Sequence, residues 1–425
     1  MIVQFKVKNF LSFKGEEVFD LRSTMNKNFN KYGAKQIKKD SILNFAVIYG
    51  PNASGKTNLL KALGALKKII FFNANDKDQK INYVVPFLLD ENSKDKNSEF
   101  EITFYFNDTK YVYNLKINQN EFAYELLNVY LTNRPSTIFE RKTEDGISKI
   151  EFGNSVKIGL TIKKEMEIKC LKNISVFMAY KQINYNIDHI ENIIKWFYNN
   201  FNYFEFSSFE NTGSIIRKLF VGEKINNDEK FKNKLLNFLK YADINISDMS
   251  AELKKIKLNE KGEQLESNKS DSWSIENFNY YDIKYFHRIK VGAEEKQYSL
   301  PEELQSRGTL NFLCLVSVLL SVSEGSVLAF DEIENSIHPM VLKYIIEKFI
   351  RERSGCQLIA TTHYDGLLEC DDVIRMDSIY FTSKKEDGST ELYSLSDFKE
   401  LNRLSSLRKA YEYGKFGAIP DIKDL

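Results

Sequence analysis

The sequence has few cysteines, no long apolar run and almost no net charge. Its four cysteines, Cys170, Cys314, Cys356 and Cys370, form no CxxC pair and lack the density of a disulfide scaffold. That pattern argues against a disulfide or cysteine–metal framework and makes a reducing, cytoplasmic setting the expected one. No stretch approaches the roughly 20 apolar residues of a membrane span, so no membrane partner is expected. The N-terminal MIVQFKVKNF alternates Val3, Phe5 and Val7 with Gln4, Lys6 and Lys8, a strand pattern without the apolar core of a signal peptide. Sixty basic residues against 59 acidic ones leave a net charge of +1. Whole-surface attraction to nucleic acid or membrane is thereby removed, although a local basic patch fits within a balanced total. What is present is a 425-residue chain, long enough for two or three modules with substantial cores.

The run Asn44–Tyr49 (NFAVIY) predicts a short buried strand ending at Gly50, and NLLKALGALKKIIFF after Thr57 predicts a helix. From Glu99 the period changes to two. Phe100, Ile102, Phe104 and Phe106, an Asn107-Asp108 turn, and Tyr111, Tyr113, Leu115 and Ile117 predict a β-hairpin. Phe122–Tyr130 and Thr137–Arg141 continue it as an antiparallel meander. The segment from Ile187 to Tyr241 reads as helical, with Ile190, Ile193, Ile194 and Phe197 on one face, and Phe231, Leu235, Phe238 and Leu239 following a capping Asp228. Asn259–Ser272 is polar and reads as a flexible loop. Thr309–Leu320 reads as a buried helix, with Val327–Phe330 and Leu358–Thr361 as short buried strands.

Between the first buried strand and its helix, Gly50-Pro51-Asn52-Ala53-Ser54-Gly55-Lys56-Thr57 spells G-x-x-x-x-G-K-[ST], with Asn58 next in line. Glycines at those positions let consecutive backbone N–H groups curl around phosphate oxygens, and the helix that follows aims its positive end at the same anion. In such a motif the lysine, Lys56, reaches the β and γ phosphates and the hydroxyl of Thr57 ligates Mg²⁺. A chance glycine turn would not need a buried strand before it and a helix after it. Further on, Val327–Phe330 delivers Asp331 and Glu332 at a strand end, where nucleotide sites form in doubly wound sheets. Asp331 is the candidate Mg²⁺ holder, and Glu332 the group that orients or deprotonates an attacking water. Asp-Glu after a strand also commonly opens a solvated helix, but the phosphate loop upstream favours one shared site. QLIATTHY repeats the form and ends on His363, either a rim histidine or a donor to the γ-phosphate or the attacking water. Ser306, Arg307, Gly308 and Thr309 precede the buried helix; they read as an ordinary Ser/Thr N-cap or as a second anion-binding terminus.

This order of NFLSF, GPNASGKTN, a long insert, SRGT, LAFDEIENSIHP, TTHY and YEYGKFGAIP resembles the ABC-type ATPases of the SMC and RecF class within the AAA family. More narrowly it is similar to phage-defence ATPases of the RloA or AbiL type and to the ATPase half of OLD-family nucleases. The resemblance implies an α/β P-loop ABC-type head with an antiparallel β-meander and an inserted helical subdomain. It makes Gly50–Thr57 the Walker A loop, Ser306–Thr309 a signature acting in trans, Asp331 and Glu332 Walker B, and His363 the switch histidine. The signature has Arg307 at a glycine position, His338 stands where a D-loop aspartate would fall, and Leu11 occupies a position often basic in the class. Gln79 is a Q-loop candidate only by its place after Walker A. The expected domains are 1–80 (first ATPase half), 81–180 (meander), 181–258 (helical insert), 259–280 (loop and return) and 281–425 (second ATPase half).

The function this implies is a Mg²⁺-dependent ATPase that forms at least a homodimer, or a higher oligomer, around ATP. It would be the sensor or switch of an antiviral system, triggered by a phage protein or DNA and controlling a separate nuclease or toxin. No Asp-x-Asp pair follows His363, so a Toprim-type nuclease is expected in trans. The alternative is a RecF-like repair ATPase that binds DNA directly, with salt-sensitive, DNA-stimulated turnover. A transporter subunit fits poorly, given the long insert and the SRGT turn.

Overall fold

The computed structural model describes residues 1–24, 32–205, 216–257 and 277–420. The chain divides into two compact units, Met1–Phe204 with Ser323–Ile333 and Glu347–Leu425, and Glu205–Val322 with Glu334–Ile346.

The first unit holds two large sheets. It begins with β1 (Ile2–Lys8) and β2 (Glu17–Asp20), a small hairpin of β3 (Ala34–Ile37) and β4 (Asp40–Leu43), and then β5 (Phe45–Tyr49). Helix α1 (Lys56–Ile70) follows. The meander is β6 (Ser98–Phe106), β7 (Thr109–Ile117), β8 (Phe122–Tyr130), β9 (Ser136–Glu144) and β10 (Ile147–Phe152). With β1 and β2 it makes a seven-stranded antiparallel sheet in the order β10-β9-β8-β7-β6-β1-β2. Alternate residues of β7 are buried (Tyr111, Tyr113, Leu115, Ile117), as the period of two requires.

Sequence reading made Ile187–Tyr241 helical throughout. Helices do occupy Asp188–Lys195, Gly222–Asn227 and Glu229–Tyr241, but Phe201–Glu205 is a strand, β11. Three aromatic residues in four positions, Phe201, Tyr203 and Phe204, favour the pleated, half-buried surface of a sheet edge over a helix. Within the stretch expected as meander, Leu160–Lys169 and Val176–Tyr180 are helical.

The second unit contains β12 (Asp248–Lys257), β13 (Asn277–Val291) and β14 (Glu294–Leu300), a three-stranded antiparallel sheet. The insert is therefore mixed rather than purely helical, and residues 281–300 of the expected second ATPase half belong to this sheet. Residues 259–272, expected as a polar loop, lie outside the described residues. Asp228 does cap its helix, accepting from the Phe231 N–H at 3.0 Å. The helix Arg307–Ser321 is buried continuously from Phe312 to Leu319, as its apolar composition requires.

The remaining strands of the first unit are β15 (Val327–Asp331), β16 (Gln357–Thr361), β17 (Ile379–Lys384) and β18 (Thr390–Ser394). With β5 and β11 they form a six-stranded sheet in the order β11-β15-β16-β5-β17-β18. The pairs β15/β16, β16/β5 and β5/β17 are parallel. Every residue of β5, β15 and β16 is buried, which explains their unbroken apolar runs. Because these three strands are adjacent and parallel, Asp331, Thr361 and Gly50 emerge at one edge of the sheet.

Candidate functional site

The loop between β5 and α1 is built for an anion. Gly55 begins the helix in the left-handed region, at φ 107°, and as the N-cap residue it brings no side chain to the helix start, which leaves room there for an anion at the positive end of α1. A Cβ on Gly55 would lie 2.1 Å from Thr390 Oγ1, so both backbone conformation and space demand glycine. At Gly50 a Cβ would lie 2.5 Å from the Thr382 carbonyl oxygen. Hydroxyls hold the loop from outside: Ser54 Oγ meets Thr382 Oγ1 at 2.6 Å, and Thr390 Oγ1 donates to the Ser54 carbonyl at 2.8 Å. Lys56 is nearly buried, its ammonium donating to the carbonyls of Gly50 at 2.8 Å and Pro51 at 3.0 Å. Asn58 donates to Ser12 Oγ at 2.8 Å, tying the loop to the NFLSF segment. Gly55→Ala is expected to cost about 1–3 kcal/mol of stability from backbone strain alone. A urea melt reads this, and an unchanged midpoint would count against so tight a loop.

At the neighbouring strand ends, Asp331 is 2% exposed and one of its oxygens serves two hydroxyls. Thr57 Oγ1 donates to Asp331 Oδ1 at 3.1 Å and Thr361 Oγ1 donates to the same atom at 2.6 Å. Thr361 Oγ1 also accepts from the Glu332 N–H at 2.8 Å, and its carbonyl accepts from the Ile333 N–H at 3.1 Å. These bonds hold Glu332, half-buried, at φ 50°, a left-handed conformation uncommon for a residue with a side chain. His363 is exposed, two residues beyond β16. A threonine hydroxyl and a carboxylate in hydrogen-bond contact are the hard oxygen donors that Mg²⁺ takes when most of its other ligands are water and phosphate. Thr57 and Asp331 therefore fit the metal assigned to them.

Sequence reasoning missed three parts of this site. Thr361 looked like an ordinary strand residue, and Thr382 and Thr390 carried no signal at all. The third is a cavity of about 390 Å³ beside the loop, walled by Leu11 and the run Val85–Leu89. Its volume is in the range of small-ligand sites. Leu88 and Leu89, 55% and 69% exposed, make an apolar wall that suits the flat face of a base. The signal was available in VVPFLL, an apolar run outside any strand or helix period. Gln79 does not line this cavity; its Oε1 accepts from the Asn75 N–H at 2.6 Å and closes a local turn.

The remaining candidates belong to the second unit. Ser306 is an N-cap, accepting from the Thr309 N–H at 3.0 Å, and both Ser306 and Arg307 are exposed. Gly308 faces the Ser336 carbonyl so closely that a Cβ would lie 2.4 Å from it, and Asn311 donates to the Asn335 carbonyl at 3.2 Å. The segment leading to His338 thus packs on the start of the SRGT helix. His338 is exposed and its Nδ1 accepts from the Met340 N–H at 3.3 Å, so its ring caps the next helix. Among the described residues, no helix is long and apolar enough to cross a membrane.

Solved structures similar to the chain include an SMC head bound to the C-terminal winged-helix domain of ScpA. It is 16% identical, with 96% of this chain and 99% of that one covered and a TM-score of 0.45. The SMC head domain from Thermotoga maritima is 13% identical, with 92% and 98% covered and a TM-score of 0.40. No curated protein matches the chain. Residues 45–155 and 181–369 match the family model described as "AAA domain, putative AbiEii toxin, Type IV TA system". That match takes in the phosphate loop, Asp331 and Glu332, and His363, and it spans well over half of the sequence; the chain belongs to this AAA-domain family.

Proposed function

We propose that the chain is a Mg²⁺-dependent ATPase that dimerises head to tail around ATP and switches a separate effector in an antiviral system. The observation that carries the reading is the contact between Thr57 and Asp331. These residues are 274 positions apart, yet they lie 3.1 Å from each other at the mouth of a loop whose backbone is shaped for phosphate. Lys56 supplies the cation beside that loop, and Glu332 is the carboxylate next to it for a water. Bound Mg²⁺ would neutralise charge on the phosphate oxygens. The exposed Ser306–Arg307 turn opens a helix N-terminus, the kind of surface that closes on a nucleotide held by a second chain. A switch role follows from sharing the γ-phosphate between two chains, since the assembly then depends on whether that phosphate is present. The antiviral setting and the separate effector rest on the sequence resemblance.

Lys56→Ala tests the nucleotide site. It is expected to weaken binding of a fluorescent ATP analogue by at least about a hundredfold, because a charged partner of the phosphates is lost. Wild-type affinity in this variant, with an unchanged melting profile, would move the nucleotide elsewhere.

A further inference from the structure

A second cavity, of about 600 Å³, opens in the first unit at the opposite end of α1 from the phosphate loop. Its lining begins at Gly64, about 12 Å along α1 from Lys56 at 1.5 Å per residue, and shares no residue with the cavity beside the phosphate loop. Two aromatic pairs border the cavity. Phe71 packs on Tyr198 with ring centroids 4.2 Å apart, and Phe72 meets Tyr83 edge-on at 6.1 Å. Both tyrosines remain open, 47% and 43% exposed. The Lys68 ammonium lies 5.7 Å from the Tyr83 centroid, while Lys181, outside the lining, sits 5.0 Å from that of Tyr198 and donates to its hydroxyl at 3.3 Å. The lining adds the carboxamides of Asn73 and Asn202 and Lys67, whose ammonium donates to the Phe201 carbonyl at 2.6 Å, and none of the lining residues is acidic.

Each group narrows the ligand. Partly exposed aromatic rings favour a flat π-system, carboxamides can pair with a heteroaromatic edge, and the exposed Lys68 ammonium, with no carboxylate in the lining, favours an anion. A purely apolar ligand would leave the exposed Lys68 ammonium and the carboxamides unused, and an acidic peptide would leave the rings unused. We propose that this cavity binds a nucleobase bearing a phosphate, either as a free nucleotide or as an unpaired residue of a nucleic-acid strand. The occupant lies against two elements of the phosphate site. One is α1, which starts at Lys56; the other is β11, which runs beside the strand ending at Asp331. Gly64 lets these two elements approach, since a Cβ there would lie 2.8 Å from Tyr203 Cδ1. The proposal does not depend on ATP hydrolysis.

The test uses the full-length Lys56→Ala chain, so that the phosphate loop does not compete for the probes. Adenosine and uridine monophosphates are titrated by calorimetry, and a fluorescein-labelled oligothymidylate is followed by anisotropy. At least one probe is expected to bind, and adding Tyr198→Ala or Lys68→Glu should each weaken that binding about ten- to a hundredfold. Lys68 is exposed, so the Lys68→Glu melt should match the parent, while Tyr198→Ala loses its packing on Phe71 and is scored only at a temperature where its melt shows it folded. Binding of the monophosphates identifies a free nucleotide as the source, and binding of the strand alone identifies nucleic acid. The proposal is overturned if none of the three probes binds, or if binding survives both substitutions in folded chains. ATP binding by the wild-type chain is a separate readout, so loss of the ATPase reading would not be mistaken for loss of this site.

Discussion

The Glu332→Gln chain is expected to bind Mg-ATP as wild type does and to turn it over about a hundred- to ten-thousandfold more slowly. That range is what a positioned general base contributes. The substitution is nearly isosteric, and the contacts that fix this position are made by the backbone: the Glu332 N–H on Thr361 Oγ1 and the Ile333 N–H on the Thr361 carbonyl. The side chain can therefore lose its charge while the turn after β15 stays in place. Asp331, whose carboxylate accepts from Thr57 and Thr361, is untouched, so affinity for the metal–nucleotide complex should persist. Turnover close to wild type would assign the proton to another group. His363, at the same sheet edge, would then be the first to examine.

Arg141→Met is expected to cost about 3–5 kcal/mol of folding stability, the penalty for leaving a buried charge without its partner. Arg141 and Glu125 face each other across β9 and β8, both fully buried, with Arg141 Nη1 donating to Glu125 Oε2 at 2.8 Å. Arg141 also donates to Ser148 Oγ at 2.8 Å and to the carbonyls of Leu171 and Lys172 at 3.2 Å each. Glu125 accepts from the Tyr113 hydroxyl at 2.8 Å and from the Val176 N–H. Burial pushes the Glu125 carboxyl upward from its ordinary range, while Arg141 and these hydrogen bonds oppose the rise. The second site then discriminates between causes. Arg141→Met with Glu125→Gln removes both charges and keeps the Tyr113 bond, and in urea it should recover more than half of the loss. A double variant as unstable as the single one would mean that packing around the guanidinium, not the isolated carboxylate, sets the penalty.

The parts of the site legible in the sequence are those that chemistry confines to a fixed spacing. Eight residues around a phosphate leave little freedom, so Gly50–Thr57 is readable as a motif, and Asp331 is readable because an acidic residue directly ends an apolar strand. The meander was equally clear, since alternate burial writes a period of two into β6 and β7. Thr361, Thr382 and Thr390 were not readable, because a threonine in a strand is ordinary and its hydroxyl gains meaning only from the strand beside it. Strand β11 was hidden by the helices on either side, and the sheet of β12–β14 by the long separation of its first two strands. The apolar wall Val85–Leu89 went unread for a related reason: an apolar surface lining a cavity has the composition of one that covers protein.

Light scattering on the Glu332→Gln chain with and without Mg-ATP tests the central claim most directly. The account expects twice the mass of one chain when Mg-ATP is present and a single chain when it is absent, with Lys56→Ala remaining monomeric in both conditions. A Glu332→Gln chain that binds ATP stoichiometrically and still scatters as a monomer would contradict the shared-nucleotide dimer.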